Sequence, residues 1–330
     1  MKEDNCSFAP IIIPTLNRYE HFKCCVDSLS RCTGADKTEL VIGMDYPPSE
    51  KYVDGYRKIM EYLPTISGFG KVTILYTDKN LKASGNTRRL HEYVRSAGYE
   101  CVISTEDDNE FSPNFLQYVN WGLQEFRNDD SILAVCGFKR VDTSMLKNNV
   151  YKYPRFNAWG YGQWYEKRDK LDRLKDLSLL KSILDAMPLS DMFTPNLYKG
   201  ASIISMIREN GIYGDFMPAF LPKEEQYCLF PTISMVKNHG QDGSGLHGGS
   251  KAGVELYENL VIDTSKDFTP KMVEDLYQPI LKKIYDKTYH KSLKRKIRCV
   301  TDFSLYKLTG RVMVHNHKDP WYETTLRKVQ

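Results

Sequence analysis

An α/β fold built on a mostly parallel sheet is what this 330-residue sequence predicts, and three observations predict it. Apolar, β-rich runs and helix-period segments alternate four times in roughly the first third of the chain, as repeated βαβ units do. The leading runs are apolar without interruption, as strands buried on both faces are. Polar residues follow each run, and in such sheets ligands bind outside the carboxyl ends of the strands.

The first strand reads Ala9-Pro-Ile-Ile-Ile-Pro14, followed by Thr15-Leu-Asn-Arg18 and a helix with Tyr19, Phe22, Val26 and Leu29 on one face. Glu39-Leu-Val-Ile-Gly-Met-Asp45 is the second strand, and a helix runs from about Glu50 to Leu63. Lys71-Val-Thr-Ile-Leu-Tyr76 is the third, and Asn80-Leu-Lys-Ala-Ser-Gly-Asn86 leads into a helix that Gly98 ends. Cys101-Val-Ile103 is the fourth, and it delivers Glu106, Asp107 and Asp108 to its carboxyl end. Ser112 then suits an N-cap and Pro113 a first helical position, ahead of Phe115, Leu116, Val119, Leu123 and Phe126 at helical spacing.

After a fifth strand near Ser131–Phe138 the alternation stops. Residues 150–168 are aromatic and basic, with Trp159 and Trp164 suited equally to stacking on a sugar or to the core. A charged helix over about 168–186, a less polar one near 197–209 and a late strand over 228–236 are expected next. A glycine-rich run, Asn238-His-Gly-Gln-Asp-Gly-Ser-Gly245, follows them. Three segments result: residues 1–141, residues 142–250 as the second half of the same domain, and a basic helical extension over 251–330.

Composition sets outer limits. Apolar residues at 41% and charged residues at 27% describe a soluble globular chain, and a net charge of +4 argues against a nucleic-acid binder. The first residues carry no signal-peptide core, and no run of 18 apolar residues occurs, so a cytoplasmic protein is expected. The eight cysteines form no CxxC pair and read as reduced thiols. No GxGxxG follows the first strand and no GxxxxGK[ST] occurs, which disfavours NAD-type Rossmann and P-loop proteins.

The acidic triplet is the chemical focus. Three adjacent carboxylates at the end of a buried strand repel one another, and burying them unpaired costs several kcal/mol. A hard divalent cation with open positions, Mg or Mn, removes that cost. A solvated acidic turn explains the triplet alone equally well, and an EF-hand fails for want of its glycine and distal glutamate.

Together these segments resemble a bacterial glycosyltransferase of the GT-A fold, near the inverting family 2. Pro14-Thr-Leu-Asn-Arg18 resembles that family's P-T-x-N-R opening. Glu106-Asp-Asp-Asn-Glu-Phe-Ser-Pro-Asn-Phe-Leu116 is similar to its metal motif, in the version also found in a eukaryotic N-acetylglucosaminyltransferase. Trp159-Gly-Tyr-Gly-Gln-Trp164 and the glycine-rich run are similar to stretches of transferases that build surface polysaccharides, and the resemblance covers roughly residues 8–250.

The resemblance implies transfer of a hexose or N-acetylhexosamine from a nucleotide-diphosphate sugar, UDP foremost, to a glycan or lipid-linked glycan. It implies a Mn or Mg ion on Asp108, completed by His247 or His239. Pro14, Thr15, Asn17, Arg18, Asp45, Ser84, Gly85, Asn86, Arg89, Glu106 and Asp107 would cradle the donor. Asp45 departs from the pattern, being followed by Tyr-Pro-Pro instead of a second acid and glycine. The general base falls to Asp215 first, with Glu224, Glu225 and Asp191 as alternatives. A sugar-nucleotide nucleotidyltransferase and a non-catalytic sugar-binding protein are the rival classes. Residues 282–298 interleave eight Lys/Arg with apolar positions, the pattern of a basic amphipathic helix that docks peripherally on an anionic membrane or lies solvated on the domain.

Overall fold

The computed structural model describes residues 8–139, 143–144, 146, 148–153, 156–172, 177–193, 196–209, 227–242, 260–272, 293–315 and 324–328. Its first half follows the expected alternation. β1 (Ile11–Thr15), α1 (Tyr19–Ser30), β2 (Glu39–Met44), α2 (Val53–Tyr62), β3 (Lys71–Tyr76), α3 (Lys82–Ser96) and β4 (Cys101–Ser104) succeed one another. β1, β2 and β3 pair in parallel, and β4 pairs in parallel with the other side of β1. Side chains alternate across the sheet: Ile11 and Ile13 join a core with Phe22, Val26 and Phe115, whereas Ile12 and Val41 meet Leu90 and Val94 of α3.

Beyond β4 the structure adds elements that the residue pattern hid. A three-residue strand, β5 (Asn109–Phe111), follows the acids directly. α4 (Phe115–Glu125) begins after Asn114, so Ser112 is not its N-cap; the Ser112 hydroxyl is engaged by Asn114 Oδ1 and the Asp263 carbonyl. β6 (Ile132–Cys136) is the expected fifth strand. The aromatic stretch supplies two more, β7 (Val150–Tyr153) and β8 (Tyr161–Trp164). The expected charged helix is two, α5 (Tyr165–Asp172) and α6 (Leu177–Ala186), before α7 (Asn196–Glu209). The expected late strand is also divided, into β9 (Tyr227–Pro231) and β10 (Val236–Asn238). α8 (Leu293–Thr309), β11 (Arg311–His315) and β12 (Thr324–Lys328) complete the described chain.

The large sheet runs β3-β2-β1-β4-β8-β6-β9-β7, with β8 antiparallel between β4 and β6 and β7 antiparallel at the edge. It is an α/β fold with a mostly parallel central sheet flanked by helices, in agreement with the GT-A class the motifs imply. Strands from residues 1–141 and from 142–250 share it. The order reverses between β1 and β4, which makes that crevice the topological switch point. β5 and β10 form a separate antiparallel pair, joining Asn109 to Asn238.

The Trp-Gly-x-Gly-x-Trp segment earns its place by packing. A Cβ on Gly162 would lie 2.5 Å from Val119 Cγ1, so only glycine lets α4 lie down on β8. Gly160 takes φ +65, a left-handed value that glycine tolerates. Trp164 is buried in the core with its indole donating to the Leu123 carbonyl at 2.9 Å, and Trp159 meets Phe138 edge-on.

A second core lies under α6, α7 and α8, where Tyr151, Tyr153 and Phe230 meet Leu184, Ile203 and Phe303. Six described cysteines are free, but Cys101 is disulfide-bonded, against the reading of eight reduced thiols. Residues 282–292 of the basic stretch lie outside the described residues. α8 holds the remainder, docked through Phe303, Tyr306 and an Arg208–Asp302 ion pair at 3.1 Å.

Candidate active site

β1 ends at Thr15 and β4 at Ser104, so the loops after both open into the crevice at the switch point. Asp107 and Asp108 are 5% and 6% exposed there. The Thr15 hydroxyl donates to Asp107 Oδ2 at 2.9 Å. Arg18 spreads its guanidinium over both acids, pairing Nη2 with Asp107 and Nη1 with Asp108 Oδ2 at 2.8 Å. Burial works against the Arg18 charge, but Asp107 and Asp108 outweigh it and raise its pKa. Among the described residues Arg18 is the one ion-pair partner of either acid.

The chain after β10 closes the other side. Asn238 Nδ2 donates to Asp108 Oδ1 at 2.7 Å and to Asn109 Oδ1 at 2.9 Å. The backbone N–H of His239 donates to the Asp108 carbonyl at 2.8 Å. A Cβ on Gly240 would stand 2.1 Å from Asp108 Oδ2, so glycine is required for this approach. The acids therefore sit in a cradle built from β1, β4 and the return through β10.

Burial first, then the Asp108 charge, raises the Asp107 carboxyl against the pull of Arg18. Glu106 keeps contact with solvent, yet the surrounding protein, then Asp108 and Asp107, push its carboxyl up to about 7. Between the ordinary value of 4.5 and about 7, the folded protein thus keeps a proton on Glu106 that the unfolded chain releases. In that window this group makes stability fall as pH rises. In EDTA, Glu106→Gln should melt above the parent protein at pH 7 and level with it near pH 4.5, the ordinary value. Melting curves across that range check it; an equal offset at both ends would remove the linkage.

Several expected donor contacts are occupied by the fold. Asp45 Oδ1 accepts the N–H groups of Tyr46 and Leu81, both at 2.9 Å, and Oδ2 accepts Asn80 at 3.3 Å. Asn86 donates to the Gly43 carbonyl at 2.7 Å. Arg89 binds the carbonyls of Tyr76 and Leu75 at 2.8 Å and of Met44 at 3.0 Å. These residues staple α3 to the ends of β2 and β3. Ser84 is exposed in the first turn of α3, and Gly85 follows it. Pro14 lies within β1, and the Asn17 carbonyl abuts Gly55 of α2, where a Cβ would come within 1.9 Å.

Asp215, Glu224, Glu225 and His247 lie outside the described residues. Asp191 is buried in the turn Leu189–Phe193, which packs on α7 and α8. His239 Nε2 sits 2.8 Å from Glu110 Oε2, and Cys24 of α1 completes a cluster with that pair. That cluster had no counterpart in the sequence reading; its signal is the placement of Glu110 and His239 on either side of the β5–β10 pair. A cavity of about 690 Å³ between α1 and α2, lined by Tyr19, Lys23, Asp27 and Tyr62, includes none of Glu106, Asp107 and Asp108. No described helix is long and apolar enough to cross a membrane.

No family model and no curated protein matches the chain. Solved structures do. A mannosyltransferase from Pyrobaculum calidifontis, in complex with GDP-Man and Mn2+, is 21% identical with a TM-score of 0.34. That match covers 51% of this chain and 48% of the other, so it spans about half the length of the mannosyltransferase. S. aureus TarS 1–349 in complex with UDP is 10% identical over 92% of this chain and 72% of that one, with a TM-score of 0.36. The bifunctional glycosyltransferase WbbM is 11% identical over 52% of this chain and 34% of its own, at 0.30.

Proposed function

We propose that this protein is a metal-dependent, inverting GT-A glycosyltransferase that moves a hexose or N-acetylhexosamine from a nucleotide-diphosphate sugar, UDP first, to a glycan or lipid-linked glycan. One observation carries the reading: Asp107 and Asp108 are buried side by side at the switch point, with Arg18 across them as the single cationic side chain among the described residues. An adjacent pair of hard oxygen donors, cradled by Gly240 and bridged by the Arg18 guanidinium, fits Mn or Mg. Asp108 would be the direct ligand and Asp107 would face the ribose or the metal's waters. Bound there, the ion supplies neutralisation of the charge that grows on the leaving diphosphate.

The chain's own residues do the rest. Arg18, which pairs with both acids, would offer its donor fork to the diphosphate if a cation held Asp107 and Asp108 in its place. Thr15 and Asn238 keep the two carboxylates oriented. Residues 1–141 would form the donor half and 142–250 the acceptor half, which carries the base. Asp215 is the leading candidate, and Glu224 and Glu225 follow. Among Asp215→Asn, Glu224→Gln and Glu225→Gln, the variant of the true base should lose about a hundredfold in kcat with donor affinity unchanged. If none shows that split, the base lies elsewhere.

Release of nucleoside diphosphate from a panel of nucleotide sugars, with and without Mn and acceptor, tests the function. Release that needs both supports it, and pyrophosphate release instead marks a nucleotidyltransferase. Calorimetric UDP binding indifferent to Mn and Mg would falsify the metal role.

Contact with an anionic membrane at the cytoplasmic face belongs to the same proposal. At the start of α8, Leu293 is 74% and Ile297 is 56% exposed, and Lys296 and Arg298 are exposed beside them. Each basic residue at an anionic surface contributes about 1 kcal/mol. Sedimentation with anionic liposomes at low salt should capture the protein, and reversing the charges of Lys294, Arg295 and Lys296 should release it. Capture unchanged by those reversals would refute it.

A further inference from the structure

Next to the acidic cradle, three side chains of different chemistry converge from three elements: Cys24 of α1, Glu110 of β5 and His239 after β10. One ligand atom from each lies within 4.8 Å of the other two. Glu110 and His239 are already joined at 2.8 Å, and their side chains are 33% and 35% exposed, so solvent ions reach them. Cys24 is half-buried beside them. The same two segments meet again one turn away, where His21 of α1 stands 3.2 Å from Asp242 Oδ2. α1 thus offers His21 and Cys24 at i, i+3, and the return segment offers His239 and Asp242 at the same interval.

We propose that Cys24, Glu110 and His239 bind a thiophilic divalent cation, zinc by the chemistry of the donors, at a site separate from Asp107 and Asp108. A thiolate and an imidazole select against Mg and Mn, whereas sulfur, nitrogen and one carboxylate oxygen make a familiar zinc set. Neighbouring ligands on tetrahedral zinc stand roughly 3.3–3.8 Å apart, given its bond lengths, so modest side-chain rotations close the site. Three protein ligands leave a fourth position for water. The ion would clasp α1 to the segment that carries Asn238, His239 and Gly240 against Asp108. It would therefore fix the wall of the cradle without touching the hard-cation position, and the inference stands whether or not the transferase reading does.

Cobalt titration of the full chain, stripped with EDTA, tests this by optical spectroscopy. One equivalent of Co2+ should give a thiolate-to-metal charge-transfer band and intense tetrahedral visible bands, and zinc should displace both. Cys24→Ser should abolish the charge-transfer band, and His239→Ala should weaken zinc binding at least about tenfold. Asp108→Asn should leave the spectrum unchanged, which separates the two sites. Because serine matches cysteine in shape, circular dichroism of metal-free Cys24→Ser should match the parent. Absence of a charge-transfer band in the parent, or its persistence in Cys24→Ser, would overturn the proposal.

Discussion

Asp108→Asn should lower sugar transfer roughly a thousandfold, the scale on which charge stabilisation of a transition state acts. The substitution keeps the shape of the side chain and removes its charge. Arg18 retains Asp107 and the Asn238 amide retains an oxygen to donate to, so the cradle has no reason to collapse. Asp108→Ala is the poorer test, because it leaves the buried Asn238 amide short of an acceptor, a cost of about 1–3 kcal/mol. Turnover measured against Mn concentration, with circular dichroism as the check on folding, decides the matter. Near-normal turnover in a folded Asp108→Asn protein would mean that the metal mechanism is wrong.

What the sequence made legible follows from how local each feature is. β1, β2 and β4 declare themselves because a strand buried on both faces must be largely apolar, and Ile11–Ile13, Leu40–Ile42 and Cys101–Ile103 are. β8 does not, because its burial is achieved with Gly162 under Val119 and with Gln163 at 1% exposure, and neither residue looks like a strand core. β5 is hidden for another reason: three residues directly behind three acids carry no readable period. At the site, Glu106–Asp108 could be found from their run alone. The partner of Asp107 and Asp108 could not, since Arg18 lies 89 and 90 positions away and only the β1–β4 pairing brings it near. Asp45, Asn86 and Arg89 carry a second role that the sequence did not show. Polar residues near strand ends look like ligand contacts, and in the fold these also satisfy backbone groups around those ends.

Lys167→Met should lower stability by about 3 kcal/mol, from the loss of buried hydrogen bonds at one point. Lys167 is 4% exposed, and its ammonium donates at 2.8 Å to each of three carbonyls, those of Phe126, Asp129 and Ile132. Burial pulls its pKa down to about 8, so at neutral pH it still holds the three hydrogens those bonds need. The ammonium also stands 3.8 Å from the Trp164 ring centroid, a cation–π contact in a desolvated place. Two of its acceptors flank the end of α4, where the helix dipole favours a positive charge. Methionine fills the same channel but takes the ammonium from all three carbonyls, of which Phe126 and Asp129 keep only the backbone donors Asp129 N–H at 3.2 Å and Ile132 N–H at 3.0 Å, so the loss reflects hydrogen bonding and charge, with little change in packing. The seam it weakens joins α4, β6 and the end of β8, the strand wedged between β4 and β6. A fall in melting temperature of about 4 °C corresponds to the expected loss. Lys181→Met, at an exposed i, i+4 pair with Asp185, should change stability by less than about 0.5 kcal/mol and serves as the control. If both variants melt with the parent, the three carbonyls find water on their own and Lys167 is not the clasp of that seam.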